Sequence, residues 1–222
     1  MKVRIPSHLV HIAIFLLLAF LCYQAHQLMR HLVGAAVCGG FGTMTFTVAT
    51  TKQPCLLPTI VTLSGPVLTY GLAWFGMFLL RSAKYELFAY ALTFASFAHL
   101  RFIQTLTGRG DELILAEQWF GISSRPIVAV IVFLIGLPPV ITAFRAIANR
   151  RRLLVFIYSW LLPLPILFIL LLGNQFLFGA GGAETQGASF LGISLIVLII
   201  DLIASALLML LGPRYLHPPE EA

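Results

Sequence analysis

Charge is what this sequence has least of. Only 10% of its 222 residues are Asp, Glu, Lys or Arg, and eight are acidic. That is too little polar surface to cover a globule on all sides, so a water-soluble domain is excluded. Cysteine is nearly as scarce: three thiols exclude a disulfide-stapled module and a four-cysteine metal ribbon. No internal repeat, low-complexity tract or second polar domain interrupts the chain. Solenoids and linked modules are thereby excluded, and residues 1–222 read as a single membrane domain.

What fills the chain instead is hydrocarbon, with 59% hydrophobic residues and a mean hydropathy of +0.97. Runs long enough to cross about 30 Å of lipid as helix lie at about 8–33, 56–80, 85–106, 126–145, 153–173 and 187–211. None shows the period-two alternation of a membrane barrel, and helices satisfy their own backbone groups in lipid. The expected fold is all-α and polytopic, with about six transmembrane helices. Pro138-Pro139 and Pro163-Leu164-Pro165 read as kinks.

Positive charge resists translocation, so its distribution gives the topology. Lys2, Arg4, Arg81, Lys84, Arg145, Arg150, Arg151, Arg152 and Arg214 fall on one side of the six spans, while Lys52, Arg109 and Arg125 fall on the other. Both termini are expected in the cytoplasm. The Arg150 to Arg152 run reads as an inner-leaflet anchor, not a nucleic-acid patch. His8 and His11 sit at that interface, where solvation or snorkelling accounts for them. The first apolar run continues past Cys22 without a small-x-small cleavage site, so it reads as a retained helix and not a cleaved leader.

After the first span, Gly39-Gly40-Phe41-Gly42 breaks the helix, and Thr43-Met44-Thr45-Phe46-Thr47-Val48 alternates with period two. The pattern fits a short hairpin or edge strand at the membrane surface, or an ordinary loop. Cys38 and Cys55 share the non-cytoplasmic side, either bridged or as two free thiols.

Ionisable groups inside an apolar run cost several kcal/mol (~3) on insertion scales, so they mark function or pairing. His26, Gln27, Arg30 and His31 lie in the first span; Ser64-Gly65-Pro66 in the second; His99 and Arg101 in the third; Gly108-Arg109-Gly110-Asp111-Glu112 just after it. These four segments reach a similar depth. Residues four apart share a helix face, which pairs His26 with Arg30 and Gln27 with His31. His26 and His31, five apart, diverge by roughly 140° around the helix. His99 and Arg101, two apart, face different ways and fit interfacial anchoring as well as chemistry. Ser64-Gly65-Pro66 fits a kink or a close-packing point. Asp201, alone among Ile and Leu in the sixth span, fits either a functional carboxyl or a structural hydrogen bond to a neighbouring helix.

In order and spacing, the first half of the chain resembles the site-2-type intramembrane zinc metalloproteases. The residues that carry the resemblance are His26-Gln27-Leu28-Met29-Arg30 in an early helix, the glycine turn and alternating segment from Gly39 to Val48, Ser64-Gly65-Pro66 in the next helix, and Gly110-Asp111 after the third. It covers about residues 10–115, with additional helices at about 126–211. The resemblance implies a zinc cofactor, with His26, His31 and Asp111 as ligands and position 27 as that of the general base. Arg30, Glu112, His99, Arg101 and Asp201 complete the set of candidate site residues.

The departures from the pattern fall on the chemistry. Gln27 stands where the resemblance implies a catalytic Glu, and an amide does not take a proton from a metal-bound water. Arg30 stands where it implies the second His, and a guanidinium neither ligates nor tolerates a divalent cation nearby. The charge distribution also sends the motif helix outward, whereas members of the family run it toward the cytoplasm. The expectation is a catalytically impaired, metalloprotease-like membrane protein in which Arg30 and the histidines pair with Asp111 or Glu112. The other classes are a membrane scaffold or assembly factor and, less well supported, a small transporter. Membrane lipids and transmembrane segments of other proteins are the partners these classes imply.

Overall fold

The computed structural model describes residues 2–6, 8–108, 110–121, 125–179 and 188–216. Arg109 of the turn read above and residue 187 at the expected start of the sixth span lie outside the described residues. The helices are α1 (Leu9–Val37), α2 (Pro58–Leu79), α3 (Glu86–Ala95), α4 (Leu100–Leu106), α5 (Asp111–Phe120), α6 (Arg125–Ala146), α7 (Arg152–Leu161), α8 (Leu164–Phe178) and α9 (Leu195–Leu216). By length and composition, five stretches among the described residues can cross a membrane: α1, α2, α6, α7 with α8 as one stretch, and α9. The architecture is therefore mostly helical and multi-pass.

The expected third span is where the structure differs. It is two short helices, α3 and α4, separated at residues 96–99, with Phe97 in the left-handed region at φ 63°. Ten residues of helix reach only about 15 Å, so α3 alone does not cross a bilayer. Irregular backbone at membrane depth persists only where protein surrounds it. Here residues 89–102 are all buried. The Ser96 hydroxyl donates to the Thr93 carbonyl (2.9 Å), and the Leu100 amide donates to the Phe97 carbonyl (3.0 Å). The broken helix is thus the centre of the protein. Tyr90, Phe94 and Ala95 on α3 pack with Ile14, Leu18 and Ala19 on α1 in the main apolar cluster.

Neighbouring helices are tied to one another by a few polar contacts. Trp74 Nε1 donates to the Ile135 carbonyl between α2 and α6 (2.9 Å), and the Tyr90 hydroxyl donates to Ser159 Oγ between α3 and α7 (2.9 Å). The N-terminal segment pairs with the end of α6: the Val3 amide donates to the Ala146 carbonyl (2.6 Å), and Asn149 Nδ2 donates to the Ile5 carbonyl (2.9 Å). His11 meets Tyr215 edge to face at the foot of α1 and α9. These contacts gather the chain's start, the α6–α7 connection and the end of α9 at one end of the bundle, together with Lys2, Arg4, Arg145, Arg150, Arg151, Arg152 and Arg214. Of the expected kinks, Pro138 and Pro139 lie inside a continuous α6, whereas Pro163 separates α7 from α8.

At the other end, the alternating segment forms a tight turn. The Thr45 amide donates to the Val48 carbonyl and the Thr50 amide to the Thr43 carbonyl, with Met44 bridged antiparallel to Ala49. A two-stranded antiparallel sheet, β1 (Ser189–Phe190) and β2 (Ile193–Ser194), precedes α9. Met44 also bridges parallel to Ile193, so the two β elements meet although about 150 residues separate them. A Cβ on Gly192 would fall 1.9 Å from the Gly42 carbonyl oxygen, and only glycine permits that approach. Cys38 and Cys55 form a disulfide at this end, with Cα atoms 4.5 Å apart.

Candidate functional site

Midway along α2, Thr69 and Tyr70 face the first helix and the start of α5. Thr69 Oγ1 shares a hydrogen bond with Nδ1 of His26 (2.9 Å), and the Tyr70 hydroxyl donates to Glu112 Oε1 (3.0 Å). Gly65, one turn earlier on the same face, lets α2 close on α1: a Cβ there would lie 2.5 Å from Cε1 of His26. Ser64-Gly65-Pro66 therefore acts as a close-packing point. Ser64 returns its hydroxyl to the Val61 carbonyl (2.7 Å), and all three residues are buried.

Arg101, in the first turn of α4, occupies the middle of this arrangement. Its Nη1 lies 3.3 Å from Asp111 Oδ2 and 3.5 Å from Glu112 Oε2. Its Nη2 lies 3.3 Å from Nδ1 and 3.4 Å from Nε2 of His26. Tyr23 stacks on the other side of His26, with ring centroids 6.4 Å apart and planes tilted by 15°. The Arg101 side chain is 10% exposed, Glu112 12% and Asp111 24%, so the ion cluster is largely removed from solvent. A cavity of about 50 Å³, bounded by Cys22, Tyr23, His26, Thr69, Phe97 and Arg101, borders it. His26, Arg101, Asp111 and Glu112 are therefore brought together. The cation that meets the carboxylates is Arg101 on α4 and not Arg30, whose Nε is buried without a hydrogen-bond partner.

The remaining polar residues of α1 turn elsewhere. Gln24 Nε2 donates to the Phe46 carbonyl (3.2 Å), Gln27 Nε2 to the Thr47 carbonyl (3.3 Å) and the Tyr23 hydroxyl (3.2 Å), and His31 Nε2 to the Leu191 carbonyl (2.8 Å). These three side chains hold the Met44 turn and the β1–β2 connection by their backbones. Gln27 thus divides its donors between a loop and Tyr23 on its own helix. His31, whose ring lies tilted against that of Phe41 with centroids 5.4 Å apart, sits on a different side of α1 from His26, as their spacing dictates. His99 donates Nε2–H to the Trp160 carbonyl on α7 (3.0 Å) and is fully buried. Asp201 has a buried Oδ1 with no hydrogen-bond partner among the described residues.

The residues around His26 do not fit a divalent cation. A guanidinium, always charged and a donor only, stands within hydrogen-bond distance of both imidazole nitrogens and both carboxylates. His31 spends its Nε2–H on a carbonyl. No group of three or more His, Cys, Asp or Glu side chains is arranged to hold one metal ion among the described residues. What the arrangement can do is hold α1, α2, α4 and α5 in one register through a buried, multiply hydrogen-bonded charge.

Thr69, Tyr70 and Tyr23 belong to this site, and reading the sequence did not single them out. Gly65 and Thr69 are four apart, a small-xxx-small spacing that marks a helix contact face, so Thr69 carried a usable signal. Tyr70 carried none. Comparison with protein-family models, with curated proteins and with solved structures gives no match for this chain.

Proposed function

We propose that this chain is a multi-pass membrane protein of intramembrane-metalloprotease-like build that does not hydrolyse peptides, and that the Arg101 guanidinium serves as the cation of its central site. One observation carries the reading: Arg101 lies 3.3 Å from both the His26 ring and the Asp111 carboxylate. A hydrolytic centre needs a metal-bound water and a carboxylate to take its proton. In this chain Gln27 offers an amide, and a fixed positive charge opposes a metal at His26. A permanent, covalently tethered cation also removes any dependence of the fold on metal supply.

On this reading the protein works as a scaffold in the bilayer, with lipids and transmembrane segments of other proteins as its partners. The cytoplasmic placement of both termini is part of the proposal. It is supported by the basic residues gathered at one end of the bundle and by the Cys38–Cys55 disulfide at the other, where an oxidising compartment would keep it.

The test is metal analysis of the protein purified from membranes, beside His26→Ala and the double variant Gln27→Glu with Arg30→His. The expected result is no stoichiometric zinc in the natural chain and no change in its thermal unfolding on adding a chelator. Zinc gained by the double variant, which keeps Arg101, would support the metalloprotease build but contradict a guanidinium that bars metal from His26. One zinc per natural chain, lost in His26→Ala, would overturn the proposal.

A further inference from the structure

At the basic end of the bundle, the ends of α2 and α6 border a cavity of about 480 Å³. Its walls are Met77, Leu80 and Ala146, all apolar, with Thr142 and the two guanidiniums of Arg81 and Arg145. That volume lies in the range of small-molecule sites. Both arginines are exposed. The ion pairs among the described residues engage Asp111, Glu112 and Glu117, so neither arginine pairs with a carboxylate among those residues. Arg81 packs its guanidinium on the Phe78 ring at 5.5 Å, which sets the direction of the head group along α2. Thr142 directs its hydroxyl to the Pro138 carbonyl (2.8 Å).

A cation at each helix C-terminus is favoured by the helix dipole, and that accounts for one arginine at each end. It does not account for two of them rimming the same apolar hollow. We propose that this hollow is a binding site for an anionic phospholipid. Its phosphate lies between Arg81 and Arg145, and its acyl chain runs down the apolar groove between α2 and α6. The charge and the floor each select part of that ligand. Two guanidiniums without a carboxylate partner among the described residues match the negative charge of a phosphate, and Met77, Leu80 and Ala146 match hydrocarbon. A free phosphate would use the rim and leave the floor unpaired. Basic pockets between transmembrane helices suit such head groups.

The test is titration of the detergent-solubilised full chain with short-chain phosphatidylglycerol or phosphatidylcholine, read by native mass spectrometry, for the natural protein and two double variants. Arg81→Gln with Arg145→Gln empties the rim. Arg150→Gln with Arg151→Gln removes the same charge from the same end of the bundle outside the hollow. A contribution of about fivefold per arginine predicts that the natural chain prefers phosphatidylglycerol by about 25-fold. That preference disappears in the first variant, survives in the second, and withstands excess inorganic phosphate. Equal loss in both variants would reduce the site to diffuse surface charge. Displacement by inorganic phosphate, or no preference between the two lipids, would overturn it as well. Unchanged thermal unfolding of both variants is expected, because all four arginines are exposed.

Discussion

The two halves of the chain accommodate polar groups in different surroundings. From α1 to α5, polar side chains reach other elements of the protein: Arg101 joins α4 to His26 and to two carboxylates of α5, while Gln24, Gln27 and His31 hold backbone carbonyls of distant loops. Buried polar atoms without a partner among the described residues occur in both halves, Gln24 Oε1, Gln27 Oε1 and Arg30 Nε on α1 as well as Asn174 Oδ1 on α8 and Asp201 Oδ1 on α9. Asn174 and Asp201, however, form no cross-element contact among those residues like the contacts of the first half. Burial follows the same division. In the most apolar stretches, 39% of α1 and 44% of α2 is buried inside the protein, against 17% of α7–α8 and 17% of α9. The first half is held by specific neighbours and the second faces outward, so substitutions should be costly in the first and mild in the second.

The largest effect should come from Arg101→Leu. Removing one partner of a buried ion cluster leaves the others uncompensated, and about 3–5 kcal/mol of stability should be lost, seen as a large drop in the thermal unfolding midpoint in detergent. Next is Gly65→Ala. Its new methyl would meet the His26 ring at 2.5 Å, and overpacking of this kind costs about 1–3 kcal/mol, measurable in the same assay. An unchanged midpoint in either variant would remove the contrast between the halves. In the second half, Asp201→Asn should change stability by less than about 1 kcal/mol, since no formed hydrogen bond is broken. The smallest change, and one of opposite sign, is expected for Gly173→Ala. A Cβ there meets nothing within 4 Å, and the gain in helix propensity is roughly 0.5–1 kcal/mol. A large loss at Asp201 or Gly173 would show that the outer helices carry specific contacts of their own.

Much of the helical frame was legible in the sequence, because apolar length alone decides it: 56–80 and 126–145 match α2 and α6 to within two residues at either end. The break in the third span was not. No glycine or proline stands at residues 96–99, and Phe97 adopts a left-handed backbone that nothing local requests. The surrounding helices permit it, and they are invisible to a local pattern. Similarly, the carboxylates of the central cluster were identified but their cation was not. Helical spacing compares Arg30 only with neighbours on α1, whereas the return of the chain from α4 to α5 sets Asp111 and Glu112 beside Arg101. The turn after α1 was legible from its threonines, but its pairing with residues 193 and 194 was not, because that contact depends on where α9 begins.

The most direct measurement of the Arg101 cluster is a double-mutant cycle in a membrane-mimetic unfolding assay, combining Arg101→Leu with Asp111→Asn and Glu112→Gln. A cation held between its counter-charges predicts strong coupling. Once the arginine is gone, neutralising the carboxylates should recover part of the loss, with an interaction of about 1.5 kcal/mol or more. Costs that add to within about 0.5 kcal/mol would mean that Arg101 and the carboxylates act independently, contradicting the central claim.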